Sequence, residues 1–286
     1  MTVGRVHHLN CGSMRPPIAV AIGQRGWGRG LMVCHCLVIE TARDGIVLVD
    51  SGFSSKESED PRRLPGAFRR VTAAPLDLAE TAAHQLVELG LDPRDVRHIV
   101  LTHLDLDHAA GIADFPRAAV HVHEREHAAA TARTTRIERE RYRPVQWEHG
   151  PDWRLHAERG DTWRGLPAIA RLPGLDADIG LVPLHGHSRG HTGVVIRAGA
   201  RWLVHAGDAY FHPRSLEPNG KAPAGLRMFE RITMMDRDAH AASVDALRRL
   251  RAEPDVDVFC AHEPGELAAA QARSAAIMQR PAGAAV

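Results

Sequence analysis

Aromatic residues make up only 5% of this 286-residue chain, and just two of them are tyrosines. The four cysteines, Cys11, Cys34, Cys36 and Cys260, are too few and too scattered for a disulfide framework in a chain of this length. Cys34 and Cys36 flank a histidine, but no second cysteine pair completes a metal site, so they read as buried strand residues. No apolar run approaches the roughly 18 residues of a membrane span, so no membrane association is expected. The N-terminal residues lack the apolar core of a secretion signal, and the protein is read as soluble and cytoplasmic. A balance of 36 basic against 35 acidic residues argues against a dedicated nucleic-acid binder, which needs a basic surface to displace counterions. No GxGxxG follows the first apolar runs, which speaks against a dinucleotide-binding sheet.

What is abundant is histidine, with 19 residues. Histidine is the commonest metal ligand and titrates near neutrality. The chain also has a clear element pattern. CHCLVIE (34–40) and GIVLVDSG (45–52) read as two strands, with Asp44-Gly45 between them as a hairpin signal. Residues 54–72, with Pro61 and Pro65, read as a loop, and a helical period runs from Leu76 to a stop at Gly90. RHIVLTH (97–103) and AAVHVHE (118–124) read as further strands. A polar stretch at about 128–166 holds Trp147, Trp153 and Trp163 and reads as an insertion or lid whose tryptophans wall a pocket, or alternatively as a solvated helix and loop. Three strands follow (IGLVPLHG, GVVIRAG, RWLVHAGD), then a helix at 239–251, a strand at 256–263 and an Ala-rich helix at 266–278. Strands followed by a helix in each half predict two β layers with helices outside, in one domain over 1–286.

The sharpest local signal is His103-Leu104-Asp105-Leu106-Asp107-His108, four ligand-type side chains within six residues after a strand. His121 and His123 alternate on one strand face and read as core or surface residues before ligands. His185, His187 and His191 in LHGHSRGHTG, Asp208 in VHAGDAY and His262 in CAHEP each follow an apolar run as well. Imidazoles and carboxylates delivered by several strand ends suit zinc, iron or manganese.

In order and type these residues resemble the metallo-β-lactamase fold superfamily, whose pattern is HxHxDH, then a histidine, a bridging aspartate and a final histidine. The resemblance covers roughly residues 5 to 265. It implies an αββα sandwich of two mixed β-sheets flanked by helices. It implies that His103, Asp105 and His191 hold a first cation, that Asp107, His108 and His262 hold a second, and that Asp208 bridges them. The histidine of the second GH in GH-x-x-GH is the family's ligand, which selects His191 over His187; spacing alone does not separate the two. Asp50, in LVDSG, matches a position that supports the ligands from behind. Asp208 brings the chain closer to the N-acyl-homoserine lactone lactonase and glyoxalase II branches than to true β-lactamases. Tyr210 is then expected to polarise the substrate carbonyl, although it follows Asp208 by two residues where that branch uses three.

One position departs from the pattern: Asp105 stands where the family has histidine. A carboxylate is the harder ligand, and it opens iron or manganese beside zinc. The reading that follows is a hydrolase with two divalent cations that share a water, whose pKa falls toward about 7. It would cleave a small-molecule ester-type bond, a lactone first and a thioester second. Asp107 would carry a proton to the leaving group. A mononuclear iron sulfur dioxygenase and a non-catalytic metal-binding module are the alternatives, and a homodimer stays open.

Overall fold

The computed structural model describes residues 3–278. A six-stranded sheet runs in sequence order: β1 (Val6–Met14), β2 (Met32–Glu40), β3 (Ile46–Val49), β4 (Val96–Val100), β5 (Ala119–His123) and β6 (Asp152–His156). The first two pairings are antiparallel and the last three parallel. After a short hairpin, β7 (Thr162–Trp163) and β8 (Leu166–Pro167), a four-stranded sheet follows. It is built from β9 (Ile179–Pro183), β10 (Thr192–Ala198), β11 (Arg201–His205) and β12 (Val256–Phe259). There β9, β10 and β11 pair antiparallel, and β12 lies parallel to β11. Both sheets are mixed, as expected.

The period of two along each strand explains the layering. On β2, Leu37 and Ile39 face inward and meet Leu181, Val194 and Ile196 of the second sheet. Cys36 and Val38, their neighbours, face outward against Leu86 of α3 (Ala82–Glu88) and Ala129 of α5 (Glu124–Ala132). Val195 and Val204 cover the other outer face with Leu247 and Leu250 of α8 (Arg237–Arg251). Helix α8 starts where Asp236 accepts from the backbone N–H of Asp238 and Ala239, and it ends in arginines that suit its C-terminal dipole. The last helix, α9 (Pro264–Met278), packs beside β1. The sandwich of two mixed sheets between helices is therefore present, and the Asp44-Gly45 hairpin joins β2 to β3.

Two local expectations change. Residues 54–72 are not a loop: α1 (Ser55–Glu59) and α2 (Gly66–Thr72) form there, with a capping box between Ser54 and Glu57 and the prolines at helix starts or just before them. The stretch 128–166 holds the helix its mixed charges suggested, α6 (Arg136–Arg141), between the end of α5 and the strands β6 and β7. Its tryptophans do not wall one pocket. Trp147 and Trp153 pack on the helix-side core of the first sheet, whereas Trp163 meets Trp202 on the second. Two further helices are α4 (Leu106–Ala109) and α7 (Ala224–Thr233).

Val120 and Val122 join the helix-side core, so His121 and His123 point to the opposite face of β5. His121 takes part in a row of imidazoles, at 3.0 Å from His98 and 3.0 Å from His156. Burial holds His121 down at about 3 and His156 at about 4, and His8 elsewhere at about 4. An unfolded chain protonates its histidines below about 6.5, so between there and about 4 it binds more protons than the folded one. Stability should therefore fall as pH drops through that window. Thermal melts from pH 7 to 4 should show the fall, and His121→Gln should flatten it. An equally steep fall in that variant would assign the effect to other groups.

Candidate metal centre

The ends of neighbouring β3 and β4 in one sheet, of neighbouring β11 and β12 in the other, and the loop from β9 to β10 deliver the clustered residues to one edge of the sandwich. Asp50, just past β3, is buried at a φ of 54°, a left-handed conformation that aspartate tolerates better than most residues. Its Oδ1 accepts from the backbone N–H of Thr102, and its Oδ2 from the Thr102 hydroxyl and from His108 Nδ1, all at 2.8 Å. The Thr102 hydroxyl thus has its hydrogen on Asp50, and it accepts from His103 Nδ1 at 2.9 Å. His262 Nδ1 donates to the Val33 carbonyl at 2.7 Å. These bonds orient three rings, each with its Nε2 facing inward.

The inward atoms fall into two groups that share Asp208. His103, Asp105, His187 and Asp208 offer ligand atoms within 4.8 Å of one another, as do His108, Asp208 and His262. Asp208 Oδ2 lies 3.9 Å from His103 and 3.5 Å from His187, while Oδ1 lies 3.2 Å from His108 and 3.0 Å from His262. Asp107 joins from the far side, with Oδ2 3.6 Å from His262 and the buried Cys34 thiol nearby. Asp208 follows Gly207, whose φ is 52°; a Cβ there would stand 2.6 Å from His191 Nε2. Without a cation, burial pushes His108 down, but Asp208, Asp50 and Asp107 outweigh it and hold its pKa well above the imidazole range, so a proton occupies the Nε2 position that a cation would take. Burial likewise raises Asp208, yet His262 and His108 hold it well below the carboxylate range. His103 Nε2 and Asp208 Oδ1 are buried without a hydrogen-bond partner. Nε2 atoms turned inward by their outer hydrogen bonds, packed against shared buried carboxylates, fit a divalent cation in place of the protons they otherwise hold.

His191 is corrected. Its Nδ1 donates to the Leu184 carbonyl and its Nε2 accepts from the Asp208 N–H, both at 2.9 Å, so neither nitrogen is free for a ligand bond. His187 stands in the cluster instead, with Nε2 3.1 Å from Asp105 Oδ2. Tyr210 is corrected as well. Its hydroxyl is buried beside α9 and donates to Glu266 at 2.9 Å, away from the cluster. The next residue, Phe211, faces the cluster: its ring lies 5.4 Å from that of His262 at an 8° tilt, and 6.0 Å from that of His187.

Two residues of the site carried no sequence signal. Glu126, in the first turn of α5, is buried and accepts from Leu104 N and the Tyr142 hydroxyl on one oxygen, and from Ser188 Oγ and Gly190 N on the other. One carboxylate thereby ties the loop of His103 to the loop of His187. Arg141, at the end of α6, pairs through Nε with Asp105 Oδ1 at 3.2 Å. A third group, His123, Glu158 and His185, stands apart. His123 Nδ1 accepts from Arg125 N, so its Nε2 carries the hydrogen and donates to Glu158 at 3.1 Å, the geometry of a carboxylate pair.

Taken with this fold, the geometry defines a class, and the chain belongs to the metallo-beta-lactamase superfamily: the sequence model of that family matches residues 29–262. The chain is 42% identical over 263 residues to a probable metallo-hydrolase of Mycobacterium tuberculosis, covering 91% of this chain and 80% of that one. An N-acyl homoserine lactonase of Rhizobium johnstonii is 30% identical over 130 residues, 46% of this chain and 49% of that one. The structure of an N-acyl homoserine lactone hydrolase with N-hexanoyl-L-homoserine at its metal centre superposes with a TM-score of 0.68, at 18% identity, over 94% of this chain and 97% of that one. At that identity the likeness carries the fold. Family and relatives together make the chain a metal-dependent hydrolase with a buried His/Asp cluster.

The two histidines separate by experiment. His187→Ala removes a direct ligand and should lower metal affinity by at least about 100-fold, the upper end of what losing a supporting partner costs, with little change in metal-free melting. His191→Ala strands a buried N–H and a buried carbonyl and should cost about 2–4 kcal/mol of stability. Equilibrium dialysis with elemental analysis, beside thermal melts, would read both. Metal loss confined to His191→Ala would reverse the assignment.

Proposed function

We propose that this chain hydrolyses a small-molecule ester-type bond, a lactone before a thioester, with two divalent cations held on either side of Asp208. The observation that carries the reading is the Asp208 carboxylate between the two sets: Oδ2 faces His103 and His187, Oδ1 faces His108, and His262 lies 3.0 Å from Oδ1 and 3.3 Å from Oδ2. Asp105 completes the first ligand set, and Asp107 the second. Cations bound there would activate water as a nucleophile and polarise a carbonyl. The alternative of a single iron and oxygen chemistry uses one ligand set, and the second set around Asp208 supports the two-cation reading over it.

The chain's own residues supply the rest. Asp107 lies at the rim of the cluster, where its carboxylate can hold a proton and release it to a leaving oxygen or sulfur. Both tyrosines are committed elsewhere, Tyr142 to Glu126 and Tyr210 to Glu266, so no phenol assists the carbonyl. Phe211 offers a flat apolar wall in that place. It meets Phe229 of α7 edge-on at 5.3 Å, and Phe229 leads to exposed Met228 and Ile232 on the same helix. An apolar strip from the cluster to the surface supports an acyl substituent on the substrate.

The test is a panel of lactones, thioesters and simple esters of increasing acyl length, run with chain whose metal content has been measured. Hydrolysis should require metal and should vanish with Asp208→Ala. Phe211→Ala should raise KM about tenfold for long acyl chains and little for short ones, since burying a few methylenes is worth about 1–2 kcal/mol. A metal-loaded protein that leaves the whole panel intact would overturn the proposal.

A further inference from the structure

We propose that Asp105 and Arg141 act as one neutral donor unit that takes the place of a histidine, so that Arg141 sets the metal preference of the first ligand set. The inference rests on the functional reading above and goes beyond it, to a residue of α6 whose side chain meets the side chains of the ligand set at Asp105.

Arg141 is buried, with two nitrogens hydrogen-bonded to carbonyls and the third in charge contact with Asp105. Nε faces Asp105 Oδ1 at 3.2 Å, Nη1 donates to the His187 carbonyl at 2.7 Å, and Nη2 donates to the Thr233 carbonyl at 2.7 Å. The other oxygen of Asp105 is turned inward, 3.1 Å from His187 Nε2 and 3.5 Å from His103 Nε2. The carboxylate is thereby divided: Oδ1 faces the guanidinium charge without a hydrogen bond to it, and Oδ2 faces the cluster. The charge count follows. Asp105 and Asp208 give the first set two negative charges where a histidine at position 105 would leave one, and Arg141 restores the count to one. A buried guanidinium without a counter-ion is strongly unfavourable, so each partner accounts for the other.

The local fold is arranged to place this side chain. Thr135 and Glu138 form a capping box that starts α6, and Glu138 pairs with Arg189 at 2.6 Å. Arg189 lies in the same loop as His187, so α6 grips that loop at Arg189 and at the His187 carbonyl. A carboxylate capped in this way is a poorer anion and a one-oxygen donor. The set then resembles an imidazole-rich site, which suits zinc, more than a carboxylate-rich one, which suits manganese.

The experiment titrates the metal-free 286-residue chain with zinc and with manganese against a chromophoric chelator, and melts the metal-free forms. Asp105→His leaves Arg141 unpaired beside the cation and should lower zinc affinity about 10- to 100-fold. Asp105→His with Arg141→Met should recover most of that loss. Arg141→Met alone frees the second oxygen and should shift the zinc-to-manganese affinity ratio about tenfold toward manganese. Arg141→Lys keeps the charge without the two carbonyl bonds, and it should hold the ratio near that of the parent even if the metal-free melt falls. Zinc binding by Asp105→His as tight as the parent's would overturn the proposal, as would a double variant no better than Asp105→His. Should Asp105→His fail to fold, the ratio in Arg141→Met against Arg141→Lys carries the test, and an unmoved ratio overturns it. A parent that takes up neither metal overturns the functional reading and this one together. A parent that binds zinc while its variants break the pattern overturns this one alone.

Discussion

The buried carboxylate of Asp50 is the constraint on which the rest of the site depends. It takes the Thr102 amide, the Thr102 hydroxyl and His108 Nδ1, and through the hydroxyl it orients His103 as well. Taking a carboxylate out of water costs several kcal/mol, and these bonds offset it. Burial would raise its pKa, but His108 outweighs burial and holds it below the ordinary range. Because one anion fixes the end of β4 and the start of α4 together, His103 and His108 present Nε2 atoms to different sides of the same aspartate. Without Asp50 the two rings could each turn over.

Charge organises the outer layer of the site in the same way. Glu126 ties the two ligand loops through backbone amides and a serine, while Arg141 ties a ligand side chain to a ligand loop. Both come from the helices that follow β5. The segment expected to contribute tryptophan walls contributes an arginine instead, because its tryptophans find apolar partners on the two outer faces of the sandwich. The apolar surface beside the cluster comes from Phe211 and α7.

A shift of one residue after Asp208 separates this site from one with a phenol at its centre. Gly207 takes a left-handed turn, and the chain past Asp208 then sends consecutive side chains in different directions. Tyr210 goes under α9 to Glu266, and Phe211 goes to the cluster. The chemistry of the pocket wall is therefore set by which of two adjacent aromatic residues the turn exposes.

Much of this was legible in the order of residues. The alternation in VHVH, the apolar run CHCLVIE, the Asp-Gly hairpin and the helical period of 239–251 follow from local geometry, and strands followed by a helix in each half predicted the two layers. HLDLDH is legible because its ligands lie on one strand end and the turn after it. His187 against His191 was not, because both follow a glycine at the same kind of position, and only the carbonyl of Leu184 and the amide of Asp208 decide which ring is free. Glu126 and Arg141 gave no signal, since a helix surface residue and a buried partner look alike until a distant loop docks on them. The sequence by itself determined the ligand chemistry, the layered sheets and the family resemblance, since these depend on residue type and near-neighbour spacing. The tertiary structure alone decided which imidazole is free, which aromatic ring walls the cluster and what balances Asp105, since each is a contact between segments far apart in the chain.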